Sequence, residues 1–300
     1  MTILVDEHTR IVVQGITGRE AATFTAESIA YGANIVAGVT PGKGGLTVHG
    51  VPVFDTVHAA MKHHLCDASV ISVPPPFAKD AALEAIAAGI KLIVLVTERV
   101  PRHDVVAVLE HAAREAVRVI GPNSLGIIVP ERTRVGMAGG SSEAVRRAYR
   151  RGRVGIVSRS GGMMTEIANM LTGAGIGQST CVSTGGDPIV GTTALDLLPL
   201  YESDPDTDAL VIFAEPGGTV EERIAARVKS GECKLPNVAF VAGRFADRMQ
   251  GVRFGHAGAI VEGERGSPSA KIEALRAAGL LVADKLSQIP DLVRAAAGDV

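Results

Sequence analysis

Short apolar runs that alternate with amphipathic segments of helix length constrain this sequence more than any other feature. The first run ends at Gln14, and a helical pattern begins at Glu20. When a helix connects two parallel strands, it must cross one face of the sheet, and the resulting unit is right-handed. Repetition of this pattern along nearly the whole chain predicts parallel sheets covered by helices, an α/β fold.

The alternation occurs in two series, separated by a hinge-like stretch at Gly121-Pro122-Asn123. We predict strands in the first series at residues 10–14, 34–39, 51–54, 68–73, 91–96 and 117–120, and helices at 20–31, 56–64, 78–88 and 104–115. We predict strands in the second series at 154–158, 178–182, 209–213, 238–241 and 280–282, and helices at 162–173, 193–201, 220–229, 268–278 and 286–297. Because 300 residues exceed the usual size of one α/β unit, we expect two domains, residues 1–122 and 123–300.

An arginine-rich segment at residues 141–153 lies near the start of the second series. A basic helical turn there could bind an acidic partner. Short runs of like charge are more often solvated, so a solvated connector is the favoured interpretation.

Charge and composition argue against several classes of partner. The net charge of −2 provides no general attraction to nucleic acid or to an anionic membrane. Aromatic residues are only 3% of the chain, which leaves few platforms for base stacking. The segment at the N-terminus is acidic, and no apolar run reaches the length of a membrane span, so we expect a cytoplasmic protein.

The three cysteines, Cys66, Cys181 and Cys233, are far apart in the sequence. None has the spacing of a metal site or a redox pair, which suits a reducing compartment. No metal site is therefore predicted on this chain.

The first strand runs into a glycine-rich turn, Gly15-Ile16-Thr17-Gly18, followed by a predicted helix. The start of a helix presents free backbone N–H groups and the positive end of the helix dipole to an anion. A phosphate is therefore expected near Thr17 and Gly18. The dinucleotide fingerprint is incomplete, because Ala21 stands where a third glycine is usual.

The turn after the second strand, residues 39–45, contains Lys43 among glycines. A dinucleotide fold places an acidic residue there for the ribose hydroxyls. A lysine suits an additional phosphate near the ribose, so coenzyme A fits this turn better than NAD. The alternative is a flexible turn with an exposed lysine.

The second series opens with a comparable pattern, a strand at residues 154–158 followed by Arg159-Ser160-Gly161-Gly162 and a predicted helix. This arrangement predicts a second anion-binding helix start.

His256 lies between glycines in Gly255-His256-Ala257-Gly258-Ala259-Ile260, where small neighbours leave the imidazole accessible. Its ordinary pKa of about 6.5 leaves the ring mostly uncharged at neutral pH and able to act as a nucleophile or base. Glu215 ends the predicted strand 209–213, and a carboxylate there could hold one ring nitrogen and leave the other free. Two alternatives stay open: His256 as a surface histidine, and Glu215 as the cap of the following helix.

Together these motifs resemble the family of succinyl-CoA synthetase alpha subunits over nearly the whole chain, from Thr2 to about Val293. The matching motifs are Gln14-Gly15-Ile16-Thr17-Gly18, residues 38–45, Gly121-Pro122-Asn123, residues 155–161, Gly185-Gly186-Asp187-Pro188 and residues 255–259. The resemblance implies a Rossmann-like CoA-binding domain followed by a flavodoxin-like, doubly wound ligase domain. It also implies a beta subunit with an ATP-grasp fold, which would bind ATP or GTP with Mg²⁺ in an αβ or α2β2 assembly.

The resemblance also implies roles for individual residues. His256 would take phosphate from the nucleotide and pass it to a carboxylic acid, and the CoA thiol would attack the acyl phosphate; Glu215 would orient His256. The positions that match CoA contacts in the family are Thr17, Gly18, Arg19, Glu20, Lys43, Val96, Thr97 and Glu98. The positions expected near the phosphate and the acid are Asn123, Ser160, Gly161, Gly162 and Thr165.

One departure from the family pattern concerns the acid. Gly162-Met163-Met164-Thr165 replaces the usual Thr-Leu-Thr-Tyr and resembles ATP-citrate lyase and citryl-CoA synthetase instead. Succinate is the first expectation, and a citryl-CoA or malyl-CoA synthetase-type subunit is the alternative. A non-catalytic CoA-binding subunit is a further alternative.

Overall fold

The computed structural model of this chain describes residues 3–248, 256–259, 261 and 266–298. It contains two seven-stranded sheets, each with helices on both faces. None of the helices in these ranges combines the length and apolar character needed to cross a membrane.

The first sheet is built from the N-terminal series. Its strands are β1 (Ile11–Gln14), β2 (Ile35–Val39), β3 (Thr47–Val48), β4 (Val51–Phe54), β5 (Ala68–Ile71), β6 (Leu92–Leu95) and β7 (Arg118–Ile120). The helices between them are α1 (Arg19–Tyr31), α2 (Val57–His63), α3 (Ala78–Ala87) and α4 (Arg102–Arg114). The order β3-β4-β2-β1-β5-β6-β7 is the Rossmann order with a short hairpin strand added at one edge.

The second sheet follows. Its strands are β8 (Gly126–Val129), β9 (Thr133–Gly136), β10 (Arg151–Ser158), β11 (Gln178–Ser183), β12 (Ala209–Ala214), β13 (Asn237–Val241) and β14 (Leu281–Ala283). Its helices are α5 (Ser142–Ala148), α6 (Gly161–Gly173), α7 (Ala194–Glu202), α8 (Val220–Lys229), α9 (Pro268–Ala277) and α10 (Ile289–Ala297). The order of the parallel strands, β14-β13-β12-β10-β11, is flavodoxin-like. The predicted α/β fold class is therefore confirmed.

The prediction of a hinge-like stretch is wrong in one respect, because the chain beyond Asn123 forms two further strands. β8 and β9 pair antiparallel to each other, and β8 pairs antiparallel to β11 at the sheet edge. Neither strand belongs to a strand–helix repeat, so the pattern used for the prediction does not detect them. β9 packs against α1 and thereby joins the two halves of the chain.

The arginine-rich segment is not a solvated connector. It forms α5 and the start of β10, and α5 packs on α1 and α6. The Arg146 guanidinium lies 5.1 Å from the centre of the Tyr31 ring and donates to the Ala30 carbonyl oxygen at 3.0 Å. Arg153 pairs with Asp208. Arg146 and Arg153 therefore make contacts that link this segment to neighbouring elements of the fold.

Candidate functional site

The site forms where the strand order of the second sheet reverses. β10 and β12 are parallel neighbours, with Ser158 opposite Phe213, whereas β11 lies on the other side of β10. Connections from these strands leave on opposite faces, which opens a crevice at their carboxyl ends. Arg159 and Ser160 leave β10 at this crevice, and Glu215 leaves β12 beside them.

His256 and Glu215 meet at this crevice. The imidazole Nδ1 lies 2.9 Å from Glu215 Oε1 and 2.8 Å from Oε2. The His256 side chain is 32% exposed and that of Glu215 is 13% exposed, so the pair faces solvent on the histidine side. Among the described residues, both hydrogen bonds of the ring are at Nδ1, and Nε2 has none. Gly255 and Ile260 of the predicted histidine stretch lie outside the described residues.

The hydrogen bond that Glu215 accepts from the imidazole is the main influence on the pKa of His256. It raises the pKa of His256 above the ordinary 6.5, and the negative charge of Glu215 adds to the effect. Partial burial and the nearby Arg159 guanidinium act in the opposite direction. The imidazole therefore carries its second proton to a higher pH than a free histidine does.

The imidazole ring packs on a bare stretch of backbone at Gly186. A Cβ atom built at this position would lie 2.4 Å from His256 Cδ2 and 2.8 Å from Nε2. The Gly186 N–H donates to the Asn123 carbonyl oxygen at 3.2 Å, and the Gly258 N–H donates to the Gly186 carbonyl oxygen at 3.1 Å. Only glycine at this position leaves room for the ring beside Glu215.

Arg159 connects the same loops. Its Nη2 donates to the Asp187 carbonyl oxygen at 2.9 Å, and a Cβ atom at Gly258 would lie 2.2 Å from that nitrogen. The Asp187 carboxylate accepts a hydrogen bond from Asn123 Nδ2 at 3.0 Å, and burial raises its pKa. Arg159, Gly186 and Asp187 belong to motifs noted in the sequence, but no individual role was predicted for any of them. Their position just after a buried strand, which singled out Glu215, could have identified them.

The start of α6 has the geometry of an anion site. Ser160 is the residue before the helix, and its Oγ accepts the Met163 N–H at 3.4 Å. The first N–H groups of a helix have no partner within the helix and can donate to a bound anion. At Gly161 a Cβ atom would lie 2.2 Å from Leu125 Cγ, whereas Gly162 is exposed with open space around it.

Thr165 is turned toward the protein interior. Its hydroxyl donates to the Gly161 carbonyl oxygen at 3.2 Å and lies 2.9 Å from the Tyr149 hydroxyl. Tyr149 is buried in the core under α6. The hydroxyl of Thr165, a position expected near the phosphate and the acid, is thus bonded within the protein.

A cleft of about 580 Å³ crosses the carboxyl ends of the first sheet. It is bordered by the start of α1 and by the segments after β5 and β6, and Asn123 closes one end. The residues predicted to contact CoA that line it are Gly18, Arg19, Glu20, Val96, Thr97 and Glu98. Gly18 precedes α1 without a side-chain cap, so the first N–H groups of the helix are available to an anion.

Thr17 and Lys43 are not among the residues lining this cleft. The Thr17 hydroxyl donates to the Thr40 hydroxyl at 3.1 Å, which ties the first turn to the second. Lys43 is exposed in its turn, and the neighbouring Gly44 N–H donates to the Asp55 carboxylate at 2.9 Å. The lysine is therefore at the surface beyond the cleft.

Asn123 connects the cleft to the histidine. It lines the cleft and also donates to Asp187, whose charge influences the pKa of His256. The two sites are therefore neighbours across the junction of the domains.

Two family models match the chain. One is described as a CoA binding domain and matches residues 6–99, and the other is described as CoA-ligase and matches residues 157–281. The first range contains the cleft segments after β1, β5 and β6. The second contains Arg159, Ser160 and the Glu215–His256 pair.

The chain is similar to curated proteins over almost its full length. It is 46% identical to the ADP-forming succinate–CoA ligase alpha subunit of Methanothermobacter thermautotrophicus, over 99% of this chain and 97% of that protein. It is 41% identical to an ADP-forming sulfoacetate-CoA ligase subunit of an Acholeplasma species, over 98% of this chain and 97% of that subunit.

Among solved structures, the chain is similar to an ATP citrate lyase variant of Methanosaeta concilii in complex with (3S)-citryl-CoA. The identity is 27% and the TM-score 0.91, over 98% of this chain and 50% of that one, so this chain spans half of the lyase polypeptide. The match to curated relatives, the CoA-binding and ligase domains and the fold agree. The chain therefore belongs to the succinate–CoA ligase (succinyl-CoA synthetase) alpha-subunit family of CoA-binding acid–thiol ligases.

Proposed function

We propose that this chain is the alpha subunit of a nucleotide-dependent ligase that joins a small carboxylic acid to CoA through a phosphohistidine at His256. The observation that carries the proposal is the contact of both Glu215 oxygens with Nδ1, at 2.9 and 2.8 Å. A carboxylate at that position keeps the proton on Nδ1 and leaves the Nε2 lone pair free for attack.

In the first step, Nε2 forms a bond to the terminal phosphorus of ATP or GTP, and the bond from that phosphorus to the bridging oxygen breaks. The nucleoside diphosphate leaves with the electron pair. The ring then has a phosphate on Nε2 and a proton on Nδ1, and the Glu215 carboxylate stabilises its positive charge. The N–H groups at the start of α6, beside Gly161 and Gly162, would stabilise the phosphoryl oxygens.

In the second step, a carboxylate oxygen of the acid attacks phosphorus, and the bond to Nε2 breaks to give an acyl phosphate. The CoA sulfur then attacks the acyl carbon, and inorganic phosphate leaves. The position of Asn123, between the cleft and the Asp187 carboxylate, supports a thiol arriving next to His256.

The nucleotide would bind to a beta subunit with an ATP-grasp fold, in an αβ or α2β2 assembly in the cytoplasm. Mg²⁺ would accompany the nucleotide and neutralise phosphate charge there. The described residues of this chain contain no group of three or more histidine, cysteine, aspartate or glutamate side chains able to hold a metal ion.

Succinate is the first acid to test, because several relatives are named succinate–CoA ligase; with succinate the enzyme would serve the tricarboxylic acid cycle. Sulfoacetate and citrate are supported by the sulfoacetate-CoA ligase relatives and by the citryl-CoA complex of the similar lyase. Succinate, malate, citrate, itaconate and sulfoacetate should be compared in a CoA-dependent assay of nucleotide cleavage.

The mechanism is tested by incubating the chain and its beta subunit with labelled nucleotide. We expect an acid-labile, base-stable phosphate on His256 and no thioester formation by the chain alone. His256→Asn should abolish the label and turnover while CoA affinity stays unchanged. His111 lies on the outer surface of α4, so His111→Asn should keep both the phosphate label and turnover. A label that maps to another residue by mass spectrometry would refute the mechanism.

A further inference from the structure

A second groove, of about 650 Å³, lies between the two halves of the chain. None of the residues that surround His256 or line the CoA cleft borders it. Its walls are an apolar face of α4, the start of β7, and α7 and α8 of the second sheet. Its volume is that of a small-molecule site, and its lining is about equally polar and apolar.

Three arginines line this groove: Arg118, Arg223 and Arg227. Arg223 and Arg227 are four residues apart on α8 and so lie on the same face of that helix, where like charges repel. Arg118 borders the same groove from β7. Three positive charges are thus brought together by two different domains.

The groove has little negative charge to balance these arginines. Within the described ranges, neither Arg118 nor Arg223 has a carboxylate within 4.0 Å, and Arg227 lies 3.5 Å from Glu232. The only acidic residue that lines the groove is Asp196. Its carboxylate already accepts the N–H and the hydroxyl of Thr193, at 2.8 and 2.6 Å.

The floor of the groove is a rigid joint between the domains. The Thr192 hydroxyl donates to the Val119 carbonyl oxygen at 2.7 Å, and the Gly191 N–H donates to the Gly121 carbonyl oxygen at 2.9 Å. A Cβ atom at Gly191 would lie 2.5 Å from the Val119 oxygen, so the two backbones are in direct contact. The groove is therefore formed before any ligand binds.

We propose that this groove binds a small multivalent anion, with phosphate or carboxylate groups on the three guanidinium groups and a carbon skeleton against α4. Guanidinium donors match both kinds of anion in a planar, two-pronged geometry. The three positive charges of these arginines exceed the two negative charges of Asp196 and Glu232 by one, and the presence of three guanidinium groups favours a ligand with more than one anionic group. The apolar wall, which includes Leu109 and Ala112, favours an organic ligand.

The test uses the full chain saturated with CoA, so that the cleft of the first domain is occupied. Titration calorimetry with pyrophosphate and with tricarballylate separates a phosphate site from a carboxylate site. We expect at least one of the two to bind, and Arg118→Ala, Arg223→Ala and Arg227→Ala each to weaken that binding about tenfold or more. Arg147→Ala, an exposed arginine on α5, is the matched control and should bind like the wild type.

Binding that is unchanged in all three variants would overturn the proposal, as would the absence of binding by both anions. If neither anion binds and the variants instead lose the beta subunit during purification, the groove is a protein interface. Arg223→Lys keeps the positive charge but loses the two-pronged geometry, so it should weaken binding less than Arg223→Ala does. Circular dichroism of each variant excludes misfolding as the cause. Because the readout is binding, the result does not depend on phosphorylation of His256.

Discussion

At the scale of single residues, Glu215 controls both the orientation and the charge of His256. Its hydrogen bond raises the pKa of the imidazole, so a larger fraction of the ring is protonated at neutral pH than in a free histidine. The stabilising contribution of this pair to folding is fully present below the ordinary pKa of 6.5 and is lost as pH rises through the raised value. The proposed nucleophilic attack requires the neutral ring, so under this mechanism catalysis and folding would depend on pH in opposite directions.

Glu215→Gln tests this dependence. We expect the rate of His256 phosphorylation in the wild type to rise with pH through a pKa above 6.5. In the variant the amide has no charge, so the pKa of His256 should fall and the rise should move to lower pH. The plateau rate should also fall, by about tenfold or more, because the Nδ1 proton is less firmly held. Rapid-quench measurements from pH 5.5 to 9 check this, and an unshifted profile would show that Glu215 does not set the pKa.

At the scale of elements, the loop between β11 and α7 positions the imidazole as much as the histidine segment does. Gly185 in this loop has φ +105°, and a Cβ atom there would lie 2.1 Å from the Pro122 carbonyl oxygen. Gly186 then provides the bare backbone under the ring. These contacts make the loop and the segment after β7 one rigid unit behind His256.

Gly186→Ala should therefore displace the ring from Glu215, because the new methyl group would overlap the imidazole at 2.4 Å. We expect phosphorylation to fall at least about tenfold, since misplaced catalytic groups lose most of their rate advantage. CoA affinity should not change. Gly173→Ala, at the end of α6 with nothing within 4 Å of the new atom, is the matched control. Equal phosphorylation rates in both variants would show that the ring does not depend on this contact.

At the scale of the whole molecule, the domains are joined by a buried cation. Arg134 on β9 is fully buried; it donates to Ser28 on α1 at 3.1 Å and to the carbonyl oxygens of Ala138 and Gly140 at 3.0 and 2.6 Å. Burial lowers its pKa, and its Nη2 atom has no hydrogen-bond partner among the described residues. This cation makes α1, which begins at the CoA cleft, continuous with the second sheet.

Arg134→Ala should lower the free energy of unfolding by about 2–5 kcal/mol, because it leaves a cavity and two carbonyl oxygens without their donor. Urea unfolding followed by circular dichroism measures this change. Arg147→Ala, on the exposed side of α5, should change the free energy by less than about 0.5 kcal/mol. A similar small change in Arg134→Ala would show that the domains are held together elsewhere.

The sequence by itself determined the helices and strands that have a regular local pattern of apolar residues. The strand at Val51–Phe54 and the helix at Val220–Lys229 were predicted with the observed ends, and most others within a few residues. Apolar runs and glycine turns also determined which residues stand at the carboxyl ends of strands. That was sufficient to select Glu215 and the starts of α1 and α6, because parallel strands bring these ends to one edge of each sheet. His256 was selected by its small glycine neighbours instead.

Only the tertiary structure decided what depends on contacts between distant segments. β8 forms a strand because β11 offers it an edge, and β9 pairs in turn with β8; no local period marks either strand. The inward hydroxyl of Thr165 depends on Tyr149 beneath α6, and the groove with Arg118 and Arg223 exists only after both domains have packed together. The hydrophobic period of an element indicates which of its faces is buried. The edge strands, the Thr165 contact and the groove depend instead on which other element each face packs against, and packing across the whole fold determines that.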